Sequence, residues 1–159
     1  MTEIIVISDT HLGKDFSAVP SSFLDIARSA DLLVHCGDFV TREAYDFFSN
    51  LNQMEAVVGN MDSGSLRSFL PEVKTFDIED KKIGLIHGWG APWGLDKKVY
   101  KRFKGPDIIF FGHSHARHND MIRETLMVNP GAFKGRKGVQ YGLVRIKGTK
   151  IAVELCIVK

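Results

Sequence analysis

Short apolar runs alternate with amphipathic stretches through the first third of the chain. Glu3-Ile4-Ile5-Val6-Ile7 is apolar and β-branched after its first residue, which suits a strand buried on both faces. It stops at Ser8-Asp9-Thr10-His11. After a loop from Gly13 to Pro20, Ser22 opens a Ser-x-x-Asp start signal, and Phe23, Leu24, Ile26 and Ala27 have the spacing of a helix packed on a sheet. Leu32-Leu33-Val34-His35 is a second strand and leads into Cys36-Gly37-Asp38. Thr41 can cap a helix whose Ala44, Tyr45, Phe47, Phe48 and Leu51 form a wide apolar stripe. A third strand, Glu55 to Val58, delivers Gly59-Asn60-Met61-Asp62.

The pattern then changes to strand pairs. Val73 to Ile78 and Lys82 to Ile86 flank the polar Glu79-Asp80-Lys81 and predict a hairpin that ends in His87-Gly88. A helix follows that carries Lys97, Lys98, Lys101, Arg102 and Lys104, then a strand from Asp107 to Phe111 opening into Gly112-His113-Ser114-His115. Leu126-Met127-Val128 gives Asn129-Pro130-Gly131. Val139 to Ile146 and Ile151 to Val158 flank Gly148-Thr149, a type II′ hairpin turn with glycine first. In the last strand Ile151, Val153, Leu155 and Ile157 share one face, which is expected to be core. No repeat or linker divides the chain, so residues 1–159 read as one α/β domain.

Charge and cysteine content narrow the function classes. A formal net charge of +2 does not indicate a protein that coats nucleic acid. The basic helix is either a solvated face or an electrostatic funnel for an anionic substrate near His87. Cys36 and Cys156 form no Cys-x-x-Cys pair, so zinc-ribbon and thioredoxin-like chemistry lack support, and both are expected to be small buried hydrophobes. With no basic leader and no apolar stretch long enough to span a bilayer, the expected location is the cytoplasm, away from any membrane.

The candidate chemistry lies where the apolar runs end. Asp9, His11, Asp38, Asn60, His87, His113 and His115 are metal-capable, and each follows such a run. Two imidazoles two residues apart on extended chain, His113 and His115, project to the same side. In α/β sheets ligands collect beyond the carboxyl ends of strands. N-capping and turn chemistry are the alternative for Asp9 or Asp38 taken alone. Seven nitrogen and oxygen donors exceed what one zinc ion needs. They suit two divalent ions of intermediate hardness: Mn²⁺ or Ni²⁺ by preference, with Fe²⁺, Co²⁺ or Zn²⁺ as alternatives, sharing a bridging carboxylate.

Taken in order, Asp9-Thr10-His11, Gly37-Asp38, Gly59-Asn60-Met61-Asp62, His87-Gly88 and Gly112-His113-Ser114-His115 resemble the motif series of the calcineurin-like metallophosphoesterases. The likeness is to the small single-domain phosphodiesterases of that superfamily and extends from about Met1 to Gly131. It implies a four-layer α-β-β-α sandwich, two mixed β-sheets between outer helices. It also implies that Asp9, His11 and His115 hold one metal ion, that Asn60, His87 and His113 hold the second, and that Asp38 bridges them. Asp38, Asn60 and His87 would then be catalytic, and a metal-bridging hydroxide would attack phosphorus in line. Two divalent ions, two aspartates and that hydroxide leave about +1, attractive to a small phosphodiester or nucleotide-like substrate.

The chain departs from that pattern in two places. Many phosphomonoesterases of the superfamily carry a proton-donating histidine directly after the motif asparagine; here Met61 stands there and has no proton to give. The resemblance therefore implies a diesterase acting on acidic leaving groups, unless Asp62 or a metal-bound water substitutes. Relatives also often carry a histidine two positions after the one at His87, where this chain has Trp89. Trp89 and Trp93 either stack on a base or aryl group, as substrate-binding residues beside Asp62, or cover the sheet edge. His35 is expected to be a hydrogen-bonded core residue and His118 a surface one. Asn129 either orients the site or makes the turn before Pro130. An exposed Phe16 or Trp93 could seed a homodimer. The rival from another class is a non-catalytic protein-binding scaffold like the retromer subunit that shares this resemblance; loss of a ligand histidine would favour it, and none is lost. A phosphomonoesterase or nucleotide-specific phosphatase is the other alternative.

Overall fold

The computed structural model describes residues 1–159. Its elements run β1 (Thr2–Ile7), α1 (Ser21–Ser29), β2 (Leu32–His35), α2 (Arg42–Ser49), β3 (Met54–Ala56), α3 (Gly64–Arg67), β4 (Val73–Ile78), β5 (Lys81–Ile86), α4 (Leu95–Tyr100), β6 (Ile108–Phe110), β7 (His118–Ile122), β8 (Thr125–Asn129), β9 (Lys134–Gly135), β10 (Gly138–Lys147) and β11 (Lys150–Val158). Two sheets result. One has the order β11-β10-β1-β2-β3, with β9 paired to β10; the other has the order β4-β5-β6-β8-β7. Each has a parallel set of three, β1-β2-β3 at one side of the first, with antiparallel β10 and β11 beyond β1, and β5-β6-β8 at the centre of the second, between antiparallel β4 and β7.

Period-two side-chain alternation builds the layers. On β1, Ile4 and Val6 point between the sheets, where they meet Val34, Ile83, Leu85, Phe110 and Val144. Ile5 and Ile7 point the other way, onto Phe23 and Ala27 of α1 and Ala44 and Phe48 of α2. Across the second sheet, Ile86, Ile109 and Met127 pack against Leu95 and Val99 of α4. The fully apolar strands were the signal of burial on both sides, and the expected α-β-β-α sandwich is the architecture found. Phe48 is completely buried between helix and sheet, a position where truncation to alanine costs about 3–5 kcal/mol.

Several local expectations change. Thr41 caps α2 by accepting the Ala44 N–H at 3.2 Å, as expected. α1 instead starts at Ser21 behind Pro20, with no side-chain cap, so Ser22 lies inside the first turn. α4 ends at Tyr100, leaving Lys101, Arg102 and Lys104 on the turn beyond it. β3 begins at Met54 and leaves the ladder after Ala56. The polar stretch His118–Ile122 is an edge strand rather than a loop, and His118 is half-buried against Phe111 rather than on the surface. Ile151, Val153 and Leu155 do face the inter-sheet core, whereas Ile157 is 41% exposed and Cys156 and Val158 pack on the helix side. Cys156 is accordingly only half-buried. Phe16 is also half-buried, stacked on Phe47 with centroids 4.4 Å apart. Gly148 has φ +57° at the first central turn position, as type II′ requires. No helix is long and apolar enough to cross a membrane.

Candidate metal centre

All six parallel strands point their carboxyl ends at one place. β1 delivers Asp9 and His11, β2 Asp38, the continuation of β3 Asn60, β5 His87, and the continuation of β6 His113 and His115; β8 ends at Asn129. The seven candidate ligands thus converge from both sheets. Five of them, Asp9, His11, Asp38, His113 and His115, have positive φ between 44° and 68°. Residues with a Cβ rarely occupy that left-handed region, and such strain clusters at functional sites. It turns the chain sharply at the strand end, so that side chains leaving parallel strands bend over a shared edge.

Asp9 and Asp38 are each 2% exposed, so two carboxylates are buried in one crevice. Asp9 Oδ2 accepts Ser8 Oγ–H at 2.6 Å and the His113 N–H at 3.1 Å. Asp9 Oδ1 is buried without a hydrogen-bond partner. Around it lie His115 Nε2 at 3.2 Å, His87 Nε2 at 3.8 Å and His11 Nε2 at 3.9 Å. Asp38 Oδ1 accepts the Met61 N–H at 2.8 Å, and its Oδ2 stands between His87 Nε2 at 3.3 Å and His11 Nε2 at 3.4 Å.

The imidazole tautomers follow from their outer partners. A carbonyl only accepts, so His87 Nδ1 donates to Cys36 O at 2.7 Å, and His113 Nε2 donates to Gly90 O at 2.8 Å. The inner nitrogens then present lone pairs to the same atom: Asn60 Oδ1 lies 3.0 Å from His87 Nε2 and 3.1 Å from His113 Nδ1. Three converging acceptors need a cation among them, a proton or a metal ion. The orphaned Asp9 oxygen makes the same demand, so the donor set fits divalent metal. Two triads of potential ligand atoms lie within 4.8 Å of one another: Asp9, His11 and His115, and Asp9, Asp38 and His87.

The protonation balance of the crevice reflects its two buried carboxylates. Hydrogen bonds to Asp38 and then Asp9 lift the His11 pKa to about 9. Burial opposes a charge on His87, yet Asp38 and Asp9 raise its pKa. Burial would raise the carboxyls too, but the imidazoles hold both Asp9 and Asp38 below the ordinary carboxylate range.

Three supporting residues have definite roles. His35 is wholly buried, accepts the Gly37 N–H on Nδ1 at 3.1 Å and donates from Nε2 to Thr10 Oγ1 at 3.1 Å, stacked on Phe39. Burial lowers its pKa to about 3, in keeping with the core role expected for it. Asn129 makes the turn, accepting the Gly131 N–H, and also braces the ligand loop by donating to Gly112 O at 3.0 Å and Ser114 Oγ at 3.1 Å. Asp62 takes up backbone amides instead of facing substrate: it is 6% exposed and accepts from Gly59 at 2.7 Å, Val40 at 2.7 Å and Asp38 at 3.2 Å. The substrate-binding role expected for it gives way to that of a clamp between two ligand loops. Trp89, 44% exposed, lines a cavity that reaches Asn60 and His87, and Trp93 is 82% exposed.

Two facing sheets whose parallel strands end in a carboxylate-imidazole crevice define an α/β class with a candidate metal centre at the sheet edge, and the sequence profile of the calcineurin-like phosphoesterase superfamily domain matches residues 2–149. The chain belongs to that superfamily, and the match runs past Gly131 into the final hairpin. A probable metallophosphoesterase of Methanocaldococcus jannaschii is 37% identical over 130 residues, 80% of this chain but 66%, just under two thirds, of the relative. A solution structure of a Thermotoga maritima protein superposes with a TM-score of 0.78 at 28% identity, covering 99% and 100% of the two chains. An archaeal phosphodiesterase gives 0.75 at 22% identity, over 97% of this chain and 99% of its own. Vps29 of Entamoeba histolytica, complexed with zinc, gives 0.76 at 24%, over 98% of each chain; these last two likenesses concern the fold.

Proposed function

We propose that the chain is a phosphodiesterase that works with two divalent metal ions, Mn²⁺ or Ni²⁺ by preference and Fe²⁺, Co²⁺ or Zn²⁺ as alternatives. The observation that carries this reading is the buried Asp9 Oδ1 with no hydrogen-bond partner, beside the convergence of His87 Nε2 and His113 Nδ1 on Asn60 Oδ1. Asp9, His11 and His115 would hold one ion, Asn60, His87 and His113 the other, with Asp38 Oδ2 between them. Bound there, two such ions lower the pKa of a water and offset charge on the phosphoryl oxygens. Asp38, Asn60 and His87 are the catalytic protein groups in this reading. They fix the ion positions, and no side-chain nucleophile is required.

Diester rather than monoester specificity rests on Met61, which is 56% exposed directly after Asn60 and has no proton for a leaving oxygen. With Asp62 turned onto amides, its carboxyl is not free to replace it. Good leaving groups are therefore favoured. Both cysteines are free, which suits the cytoplasm as the compartment. A homodimer through exposed Trp93 is compatible with the reading and not required by it.

The deciding experiment compares bis(4-nitrophenyl) phosphate with 4-nitrophenyl phosphate on metal-stripped protein resupplied with Mn²⁺ or Ni²⁺, with His113→Ala as control. Metal-dependent diester cleavage that the variant lacks is expected. Two ions bound per chain with no cleavage by any metal would overturn the enzyme in favour of a binding scaffold.

A further inference from the structure

Beside the candidate metal centre lies a cavity of about 420 Å³, a volume in the range of small-molecule sites. It shares Asn60 and His87 with that centre, so a molecule in it would lie beside two of the candidate ligands. Its apolar floor is Val58, Val73 and Ile86, and Trp89 supplies a flat wall. The charged groups lining it are Arg67, Arg102 and Glu72, two guanidinium groups against one carboxylate.

The two arginines differ in a useful way. Arg67 is pinned: Nε donates to Asp62 O at 3.1 Å, and Nη2 donates to Gly59 O at 3.1 Å and Asn60 O at 2.7 Å. Its Nη1 donors make no hydrogen bond within the chain, and the residue lines the cavity. Guanidinium offers five donors in a rigid fork, so a pinned one loses little freedom on meeting an anion. Arg102 is exposed beyond α4, with its Cζ 5.9 Å from the Trp89 ring centroid, and Lys98 Nζ lies 5.8 Å from the same ring. An aromatic wall already faced by two cations is a poor seat for a quaternary ammonium or other cationic head group. It is a good seat for a planar ring that carries an anion.

We propose that this cavity binds a nucleotide, with the base against Trp89 and the phosphate on Arg102 and the free edge of Arg67. Resting on the phosphodiesterase reading, this makes the substrate a diester in which one arm is a nucleoside bearing a further phosphate. Neutral or cationic arms such as glycerol or choline are disfavoured. Base stacking on an exposed tryptophan is tolerant of sequence, so recognition comes from ring plus charge.

The test uses fluorescence of the full-length, metal-free protein. The chain has two tryptophans, so Trp93→Phe leaves Trp89 as the sole reporter. Titration with AMP is expected to quench it saturably. Adenosine should bind at least tenfold more weakly, and glycerol 3-phosphate should not quench. Arg102→Glu should weaken AMP at least tenfold, whereas Lys104→Glu, the same charge change outside the cavity, should keep AMP binding. Absence of quenching by AMP, or equal quenching by adenosine and AMP that ignores Arg102→Glu, would overturn the proposal. Hydrolysis of bis(4-nitrophenyl) phosphate by the unmodified, metal-loaded protein separates the two readings. Cleavage without AMP quenching removes the nucleotide site alone, while quenching without cleavage keeps the site and removes the enzyme.

Discussion

His87 and Cys36 are joined across the two sheets by one hydrogen bond, from the imidazole Nδ1 to the Cys36 carbonyl oxygen at 2.7 Å. The bond fixes the side chain that follows β5 against the end of β2 and commits its proton to the outer nitrogen. His113 is committed the opposite way, with its proton on Nε2 toward Gly90 O. In metal-free protein titrated until these rings are neutral, long-range proton–nitrogen NMR should report His87 as the Nδ1–H tautomer and His113 as the Nε2–H tautomer. The same tautomer at both would contradict the assigned geometry.

Metal binding should release protons. His11 has a pKa of about 9, above its unfolded value of 6.5, so at neutral pH an ion must displace its proton. Metal affinity is expected to rise with pH until about 9, and calorimetry in buffers of different ionisation enthalpy should detect the released proton. The sign for stability is the reverse. The metal-free protein keeps the His11 contribution in full below pH 6.5 and loses it as pH rises through about 9. His11→Ala should flatten the melting temperature of metal-free protein across that window.

On the acid side His35 governs. Its folded pKa of about 3 lies below the unfolded 6.5, so stability present above pH 6.5 is lost as pH falls toward 3. The loss due to this one group is about 2 kcal/mol at pH 5. His35→Leu should remove one proton from the pH dependence of unfolding. At neutral pH it should cost about 1–3 kcal/mol, because the buried Gly37 N–H loses its acceptor. Urea denaturation at pH 5 and pH 7.5 measures both.

Gly59 admits no side chain. A Cβ there would fall on Asp38 Oδ1 and close to the Asp38 backbone nitrogen. Gly59→Ala is therefore expected to displace the Asp38 carboxylate and, in the metal-centre reading, weaken metal retention roughly 10–100-fold, as disturbing the support of a ligand does. Metal analysis after gel filtration would show it. Wild-type retention by the variant would mean that Asp38 is not a ligand.

In the diesterase reading, Met61 sets the dependence on the leaving group. Wild-type rates on a series of aryl diesters should fall steeply as the leaving-group pKa rises. Met61→His, adding a proton donor beside Asn60, should flatten that slope and raise monoester cleavage at least tenfold, within the roughly 10²–10⁴-fold that a general acid contributes. A flat wild-type slope would contradict the diesterase argument.

The sheets and the convergence of the site were legible because apolarity and ligand type coincide in sequence: Ile4 to Ile7 before Asp9, Leu32 to Val34 before Asp38, Ile108 to Phe111 before His113. What escaped depends on backbone geometry or on partners distant in sequence. β7 is an edge strand whose His118, Asn119 and Asp120 need no apolar alternation, since its order comes from pairing with β8. Asp62 looked like a free carboxylate because the amides it holds, at Asp38, Val40 and Gly59, are brought to it only by folding. The Ser22 start signal failed because Pro20 sets the first turn one residue earlier. Ile157 followed the alternation of β11 but lies where the inter-sheet core has ended.

The left-handed backbone at Asp9, His11, Asp38, His113 and His115 also bears on descent. Each is a place where glycine or asparagine would sit more comfortably, so the chain holds these residues against its own conformational preference. A lineage that kept the fold as a docking platform and abandoned hydrolysis would gain stability by relaxing these positions first, long before its cores drifted. In the metal-centre reading, the backbone cost at these five positions is what the ligand set asks of the fold.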